Sequence, residues 1–267
     1  MTKAQGTIRV GIGGWTFEPW RGTFYPSDLP HKRELEYASR HVTSIEVNGT
    51  FYRTQTPDSF AKWHDETPAG FVFSLKAPRY ATNRRVLAEA GPSIERFVTS
   101  GLLRLGPKLG PINWQFAPTK KFEADDFEAF LKLLPPDHEG TALRHVVELR
   151  HPSFAHVEVI DMLRACRIGL VVADSPRYPQ LHDQTAAFVY ARLQNASEAE
   201  PEGYPGALLD LWAKRARAWA SGKAPADLPC LAEPHRANGP QDVFIYMING
   251  FKPRAPAAAT ALIKRLG

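Results

Sequence analysis

Two kinds of hydrophobic pattern alternate along this chain. Short runs rich in β-branched and aromatic side chains predict strands over 8–13, 43–48, 71–76, 112–116, 145–150, 169–174, 188–193 and 243–249. Between them, apolar positions recur every three to four residues, which predicts helices over 33–40, 57–66, 92–103, 124–133, 157–166, 207–221 and 256–266. Pro57-Asp58 and Pro92-Ser93 suit the first turns of their helices. Only residues 175–186 separate the sixth and seventh strands, so the helix there should be short or missing.

Strands that alternate with helices pair in parallel and carry the helices outside. Eight strands in 267 residues argue for closure, because a (β/α)8 barrel needs about 250 residues. The expected fold is therefore α/β, a TIM-type barrel forming one domain over 1–267. A doubly wound open sheet would place a phosphate loop and a helix start after the first strand. Here Gly11-Ile12-Gly13-Gly14 runs into Trp15 instead. The Ala- and Pro-rich stretch 221–229 leads on toward the last strand and marks no domain boundary. The segment 194–205, with Pro201, Gly203, Pro205 and several acids, reads either as a lid over the seventh strand or as a mobile loop.

Alternation of side chains along each strand sorts the polar residues. Ser44, Glu46 and Asn48 share one strand face; so do Ser74 and Lys76, Asn113 and Gln115, and Glu148 and Arg150. The sixth strand ends in Asp174 and the seventh carries Arg192. Faces that pack on helices must be apolar, so this set is expected to point into the barrel, at the end where such barrels place their sites. Glu46, Lys76 and Glu148 are the candidate catalytic residues. Trp15, Arg21, Asn48, Tyr52, Gln115, Arg150, His151, Asp174 and Arg192 are candidates for holding a ligand. The alternative is a polar plug, in which Glu46, Lys76, Glu148 and Arg192 only pair with one another. Aromatic residues crowd the loops at the same end, from Trp15 to Tyr25 and at Phe51-Tyr52. Beside arginine they can stack a base or sugar ring, or simply anchor the loops. Trp63 and Trp212 sit at helical spacing and read as core. His151, between Arg150 and Pro152, reads as a cap or a hydrogen-bonding residue.

Charge and composition narrow the picture slightly. The net charge of +5 permits an anionic partner without requiring one, since pairs such as Arg84-Arg85, Lys120-Lys121 and Lys264-Arg265 are scattered. Cys166 and Cys230 lack metal-ligand spacing, and no His-x-His or His-Glu-x-x-His run occurs, so neither a metal nor a cofactor is expected. Nor is there a Gly-x-Ser-x-Gly elbow. The residues from Met1 to Gly6 hold no apolar stretch, and the longest apolar run, 243–248, is too short for a bilayer, so a cytosolic protein without a membrane partner is expected.

Several of these segments resemble the signatures of the YecE-like family, a domain of unknown function. They are Gly13-Gly14-Trp15 through Trp20-Arg21-Gly22-Thr23-Phe24-Tyr25-Pro26, then Ile45-Glu46-Val47-Asn48-Gly49-Thr50-Phe51-Tyr52, Lys76-Ala77-Pro78-Arg79, and Leu109-Gly110-Pro111 with Gln115. Glu148-Leu149-Arg150-His151-Pro152-Ser153-Phe154, Asp174 and Tyr190-Ala191-Arg192 continue the likeness. The resemblance covers nearly the whole chain and implies a TIM-type barrel with its mouth as the site, but no settled reaction. Ile248-Asn249 stands where many members carry an Asn pair, Ala257-Ala258-Ala259 where an Asn-Ala pair is common, and Gln194 where a His is common.

Three functions fit these residues. The first is an enzyme on an anionic, ring-bearing substrate such as a phosphorylated sugar, nucleotide or nucleic acid. Arg192, Lys76 and Arg150 would hold the anion, and Glu46 or Glu148 would act as acid or base. Lys76 as a Schiff-base nucleophile is a variant of it. The second is a non-catalytic nucleic-acid binder, with the steep salt dependence that implies. The third is a glycosidase using two carboxylates, Glu46 and Glu148.

Overall fold

A computed structural model describes residues 5–234 and 239–267. Met1 to Ala4, most of the stretch read for a leader, lie outside the described residues. Eight parallel strands close into a barrel: β1 (Ile8–Gly13), β2 (Ser44–Val47), β3 (Val72–Lys76), β4 (Leu109–Gln115), β7 (His145–Glu148), β8 (Gly169–Asp174), β9 (Phe188–Leu193) and β10 (Asp242–Met247). The two remaining strands, β5 (Asp137–His138) and β6 (Thr141–Ala142), form a small antiparallel hairpin ahead of β7 that the alternation did not reveal. Around the barrel the order is β1-β10-β9-β8-β7-β4-β3-β2, so strands adjacent in sequence pair and β1 closes on β10.

Alternation divides the apolar residues into two cores. Val10, Ile12, Ile45, Phe73, Leu75, Trp114, Val172 and Ile245 face the helices. Val72, Val146, Val171, Ala173, Phe188, Phe244 and Ile248 fill the barrel. The outer layer includes α3 (Pro57–Glu66), α5 (Gly91–Val98), α6 (Ala124–Leu133), α7 (Val157–Cys166), α8 (Gly206–Ala220) and α9 (Ala255–Leu266). Thr56 caps α3 by accepting from the Ser59 amide, one of the donors a helix start leaves unpaired. The segment after α5 leaves the α-helix earlier than its pattern predicts. Gly101, at φ 97°, turns the chain, and a 3-10 run over Leu102–Lys108 follows.

No helix joins β8 to β9. Instead the segment after α8 folds back over the connection. The Asp183 carboxylate accepts from the amides of Leu231 and Ala232 at 3.0 and 2.9 Å, and the His182 ring lies 3.0 Å from the Pro229 carbonyl. The segment 194–205 is pinned at both ends. The Asn195 amide donates to the Tyr204 hydroxyl at 2.8 Å, and Ala196 pairs with Gly250. Gly250 must be glycine there: at φ +80°, a Cβ would sit 2.4 Å from the Ala196 backbone. No helix among the described residues is long and apolar enough to cross a membrane.

Candidate functional site

Four strands deliver ionised side chains to one inner rim at their C-terminal ends: Glu46 from β2, Lys76 from β3, Glu148 from β7 and Arg192 from β9. Arg192 is at the centre of it. Its Nε and Nη2 donate to the two Glu46 oxygens at 3.0 and 2.9 Å, and its Nη1 donates to Glu148 at 2.5 Å. The other Glu148 oxygen accepts from Arg150 Nη2 at 3.0 Å and from Gln194 Nε2 at 3.3 Å. Below this rim lies a layer of hydroxyls. Tyr190 donates to Glu46 at 2.6 Å and meets Ser74 at 2.9 Å, and Tyr246 meets Ser44 at 2.7 Å. The serines pass these chains on to the backbone, Ser74 to the Pro111 carbonyl and Ser44 to that of Val72.

Charge settles the protonation of the rim. Burial alone would raise the Glu148 carboxyl, but Arg192, Arg150 and Lys76 outweigh it and bring it down to about 2. Glu148 is therefore a carboxylate at neutral pH and no proton donor. Burial, reinforced by Glu46, pushes the Tyr190 phenol well above its ordinary range and keeps it a donor. Lys76 moves the other way. Burial, followed by the positive charge of Arg192, lowers its ammonium from 10.5 to about 8, against the pull of Glu46 and Glu148.

Lys76 is 8% exposed and, among the described residues, makes no salt bridge and donates no hydrogen bond. Its Nζ lies 4.3 Å from the centre of the Phe51 ring. The other buried lysine shows what a structural role looks like. Lys108, 6% exposed, donates to the His64 and Thr67 carbonyls and to the Thr67 hydroxyl, and so closes the end of α3. Unlike Arg150 Nε, Lys76 Nζ is not fully enclosed: the stem is buried, while the ammonium keeps contact with solvent and faces the mouth.

The remaining predicted residues divide. Arg150 joins the rim, with its guanidinium 4.4 Å over the Tyr178 ring and its Nε unpartnered. Gln115 stands beside Glu148 in register, 8% exposed, with its Oε1 unpartnered. Trp15 and Asn48 line a hollow next to the rim; the Trp15 indole also packs edge-on to Trp63 at 5.2 Å. Tyr52 is 67% exposed, at the outer edge, under the Arg79 guanidinium.

Three residues are not brought to the rim. Arg21 donates to Glu34, to the Ser27 carbonyl and to the Leu29 carbonyl, which makes it a staple within its own loop. His151 accepts from the Ser153 amide and caps a 3-10 turn, as one of its two readings held. Asp174 has the wrong parity: Val171 and Ala173 fill the barrel, so the next residue faces out, where it accepts from Asn195 Nδ2 at 2.6 Å. Arg192 is 1% exposed and each of its nitrogens serves a carboxylate of the protein, so it organises the rim. Asn113, Tyr178, Tyr190, Gln194 and Tyr246 belong to the site without having been candidates. Tyr190 and Tyr246 read as core aromatics, and only the inward parity of β9 and β10 distinguishes them; Tyr178 comes from the connection after β8.

A closed parallel α/β barrel with an ionised inner rim at its strand C-termini is the class this architecture defines. Within it, the chain belongs to the DUF72 family, described as proteins of unknown function, whose model matches residues 9–267. A DUF72 family protein from Thermotoga maritima MSB8 superposes with a TM-score of 0.74 at 22% identity, over 97% of this chain and 99% of that one. A second, from Enterococcus faecalis V583, gives 0.71 at 16% identity over 97% and 95%. Both likenesses are likenesses of fold. The UPF0759 protein YunF of Bacillus subtilis (strain 168) is 28% identical over 116 residues, which are 42% of this chain and only 40% of that protein.

Proposed function

We propose that the protein binds an anionic, ring-bearing small ligand, a phosphorylated sugar or a nucleotide, at the C-terminal mouth of the barrel. The observation that carries this reading is Lys76, whose stem is buried in the rim while its ammonium reaches the mouth and makes no salt bridge or hydrogen bond among the described residues. A ligand phosphate would supply the missing counter-charge, and the unpartnered Nε of Arg150 offers a second donor. Asn113 and Gln115, each with an unpartnered amide oxygen, would accept from ligand hydroxyls.

Acid and base chemistry on such a ligand falls to Lys76. Its pKa of about 8 lies near the working pH, whereas Glu148, at about 2, stays ionised. The same argument weighs against a two-carboxylate glycosidase, whose acid must be protonated and whose partners here share one guanidinium. A nucleic-acid strand is the second reading, favoured by the exposed Tyr52 ring with Arg79 5.7 Å above it. The kinship with the YecE-like branch of the family rests on the signature segments. The free thiols of Cys166 and Cys230 suit the reducing cytosol, where the whole chain would act as one barrel domain.

Titration calorimetry against sugar phosphates, nucleotides and oligonucleotides, at low and moderate salt, tests the proposal. A small phosphorylated compound should bind, and Lys76→Met should abolish its binding. Undiminished binding to that variant overturns the assignment. An oligonucleotide whose affinity falls steeply with salt would favour the second reading.

A further inference from the structure

The rim charges come from β2, β3, β7 and β9, whereas β1 and β10 supply none. β1 ends in Gly13-Gly14 and β10 runs into the apolar Ile248. On that side the mouth is hollow, with a slot of about 390 Å³ lined by Gly13, Gly14, Trp15, Asn48, Arg53 and Lys252. The volume lies in the range of small-ligand sites, about 300–1,000 Å³. Slot and rim share a wall, the helical turn Gly49–Tyr52 after β2. Gly49 lines the slot, while Phe51 of the same turn carries the Lys76 ammonium. Asn48 Nδ2 donates to the Glu46 carbonyl at 3.4 Å, and the Thr50 hydroxyl donates to the Lys76 carbonyl at 2.7 Å. The floor is bare backbone. Gly14 has φ +77°, which favours glycine, while its amide is held by the Glu46 carbonyl at 2.8 Å.

The slot has its own cations. Lys252 Nζ lies 4.3 Å from the Phe17 ring and 5.5 Å from the Trp20 ring, and burial lowers its pKa. Arg53 is exposed. Neither makes a salt bridge among the described residues. Elsewhere some surface cations find carboxylates, Arg33 with Glu36, Lys62 with Glu66, Lys132 with Glu128 and Arg265 with Asp210, while others, such as Arg96 and Lys214, form no salt bridge among the described residues. Lys76, Lys252 and Arg53, which form no salt bridge among the described residues, and Arg150, which shares Glu148 with Arg192, thus flank one mouth with a hollow of about 390 Å³ on one side.

We infer that the ligand of this mouth carries two anionic groups, one held by Lys76 and Arg150 and the second by Lys252 and Arg53. The body joining them lies against the Trp15 indole and the bare backbone of Gly13 and Gly14. The inference rests on the reading proposed above and adds the second anion, which excludes monophosphates as the full ligand. A small bis-phosphorylated molecule supplies that chemistry.

Calorimetry at one fixed salt concentration, with matched probes, decides it. The pairs are fructose 6-phosphate against fructose 1,6-bisphosphate, and adenosine 5′-monophosphate against adenosine 3′,5′-bisphosphate. At least one bisphosphate should bind about tenfold or more tightly than its monophosphate. The double variant Arg53→Gln/Lys252→Gln should bring that bisphosphate to within about twofold of the monophosphate measured on the same variant. Arg53→Gln alone, at an exposed position, should remove part of the gain in a protein whose fold it does not touch. A gain that is absent, or that survives the double variant, overturns the second anion site. Tighter binding of a ten-residue thymidine strand than of every bisphosphate overturns the small-ligand assignment. If no probe binds, or if Lys76→Met leaves both members of a pair unchanged, the underlying reading of the mouth falls with it.

Discussion

The two ends of the barrel carry the same formal imbalance in opposite settings. At the N-terminal end, Arg9 and Arg144 share one carboxylate, Asp242, at 3.6 and 3.4 Å, and all three side chains reach solvent. At the C-terminal end, Glu46 and Glu148 share one guanidinium, and Arg150 and Lys76 raise the count to three cations against two carboxylates. Each end therefore has one more cation than acids. At the open end both guanidinium groups reach the same carboxylate and rest on the Phe244 ring, at 5.6 and 5.1 Å, although two Arg9 nitrogens are buried without a hydrogen-bond acceptor. At the mouth the excess sits on Lys76, 8% exposed, whose ammonium faces the opening and forms no salt bridge among the described residues. Pairing, not charge count, separates the ends: one cluster shares its carboxylate among all its cations, and the other leaves one amine to an outside anion.

The comparison breaks most directly at Arg192. Arg192→Met would leave two buried carboxylates without their shared cation, and the fold should lose about 3–5 kcal/mol in urea unfolding. A loss below about 1 kcal/mol would mean that the mouth is as well hydrated as the opposite end. Next comes Lys76, where the direction reverses. Its ammonium titrates near 8 in the folded chain and near 10.5 when unfolded, so the charged form strains the fold at every pH below about 8. That strain is relieved as pH rises from about 8 to 10.5, where the unfolded chain binds the extra proton. Lys76→Met should therefore stabilise the protein by about 3 kcal/mol at pH 7, and the gain should vanish toward pH 10.5. A pH-independent difference, or a loss, would show that the amine has a partner. The smallest effect belongs to the open end: Asp242→Asn should change stability by less than about 1 kcal/mol, and less still at high salt. An Asp242→Asn cost as large as that of Arg192→Met would erase the distinction between the ends.

Much of the site could be read before the fold was known, for a local reason. A strand alternates its side chains strictly, so Glu46, Lys76, Glu148 and Arg192 had to share one face once their strands were identified. The same rule misled at Asp174, because the strand's parity depends on which of its residues fill the barrel, and Val171 and Ala173 do. Arg21 was misplaced because nothing in a loop's composition tells a ligand-facing guanidinium from one that binds two carbonyls of its own loop and the Glu34 carboxylate. Tyr190 and Tyr246 went unnoticed because an aromatic residue in an apolar strand looks like core. Their hydroxyls matter only because Ser44, Ser74 and Glu46 stand opposite.

By itself, then, the chain's pattern determined the eight strands, their parallel order, the missing helix between β8 and β9 and the inward direction of the ionisable residues. These follow from periodicity and from the intolerance of a helix-packed face for charge. Only the tertiary structure decided who pairs with whom. Closing the barrel brings β9 opposite β2 and next to β10, which puts Arg192 between two carboxylates and leaves Lys76 without an acceptor. Partners 44 to 202 residues apart in the chain meet through barrel closure, and no local pattern encodes which cation the closure will leave over.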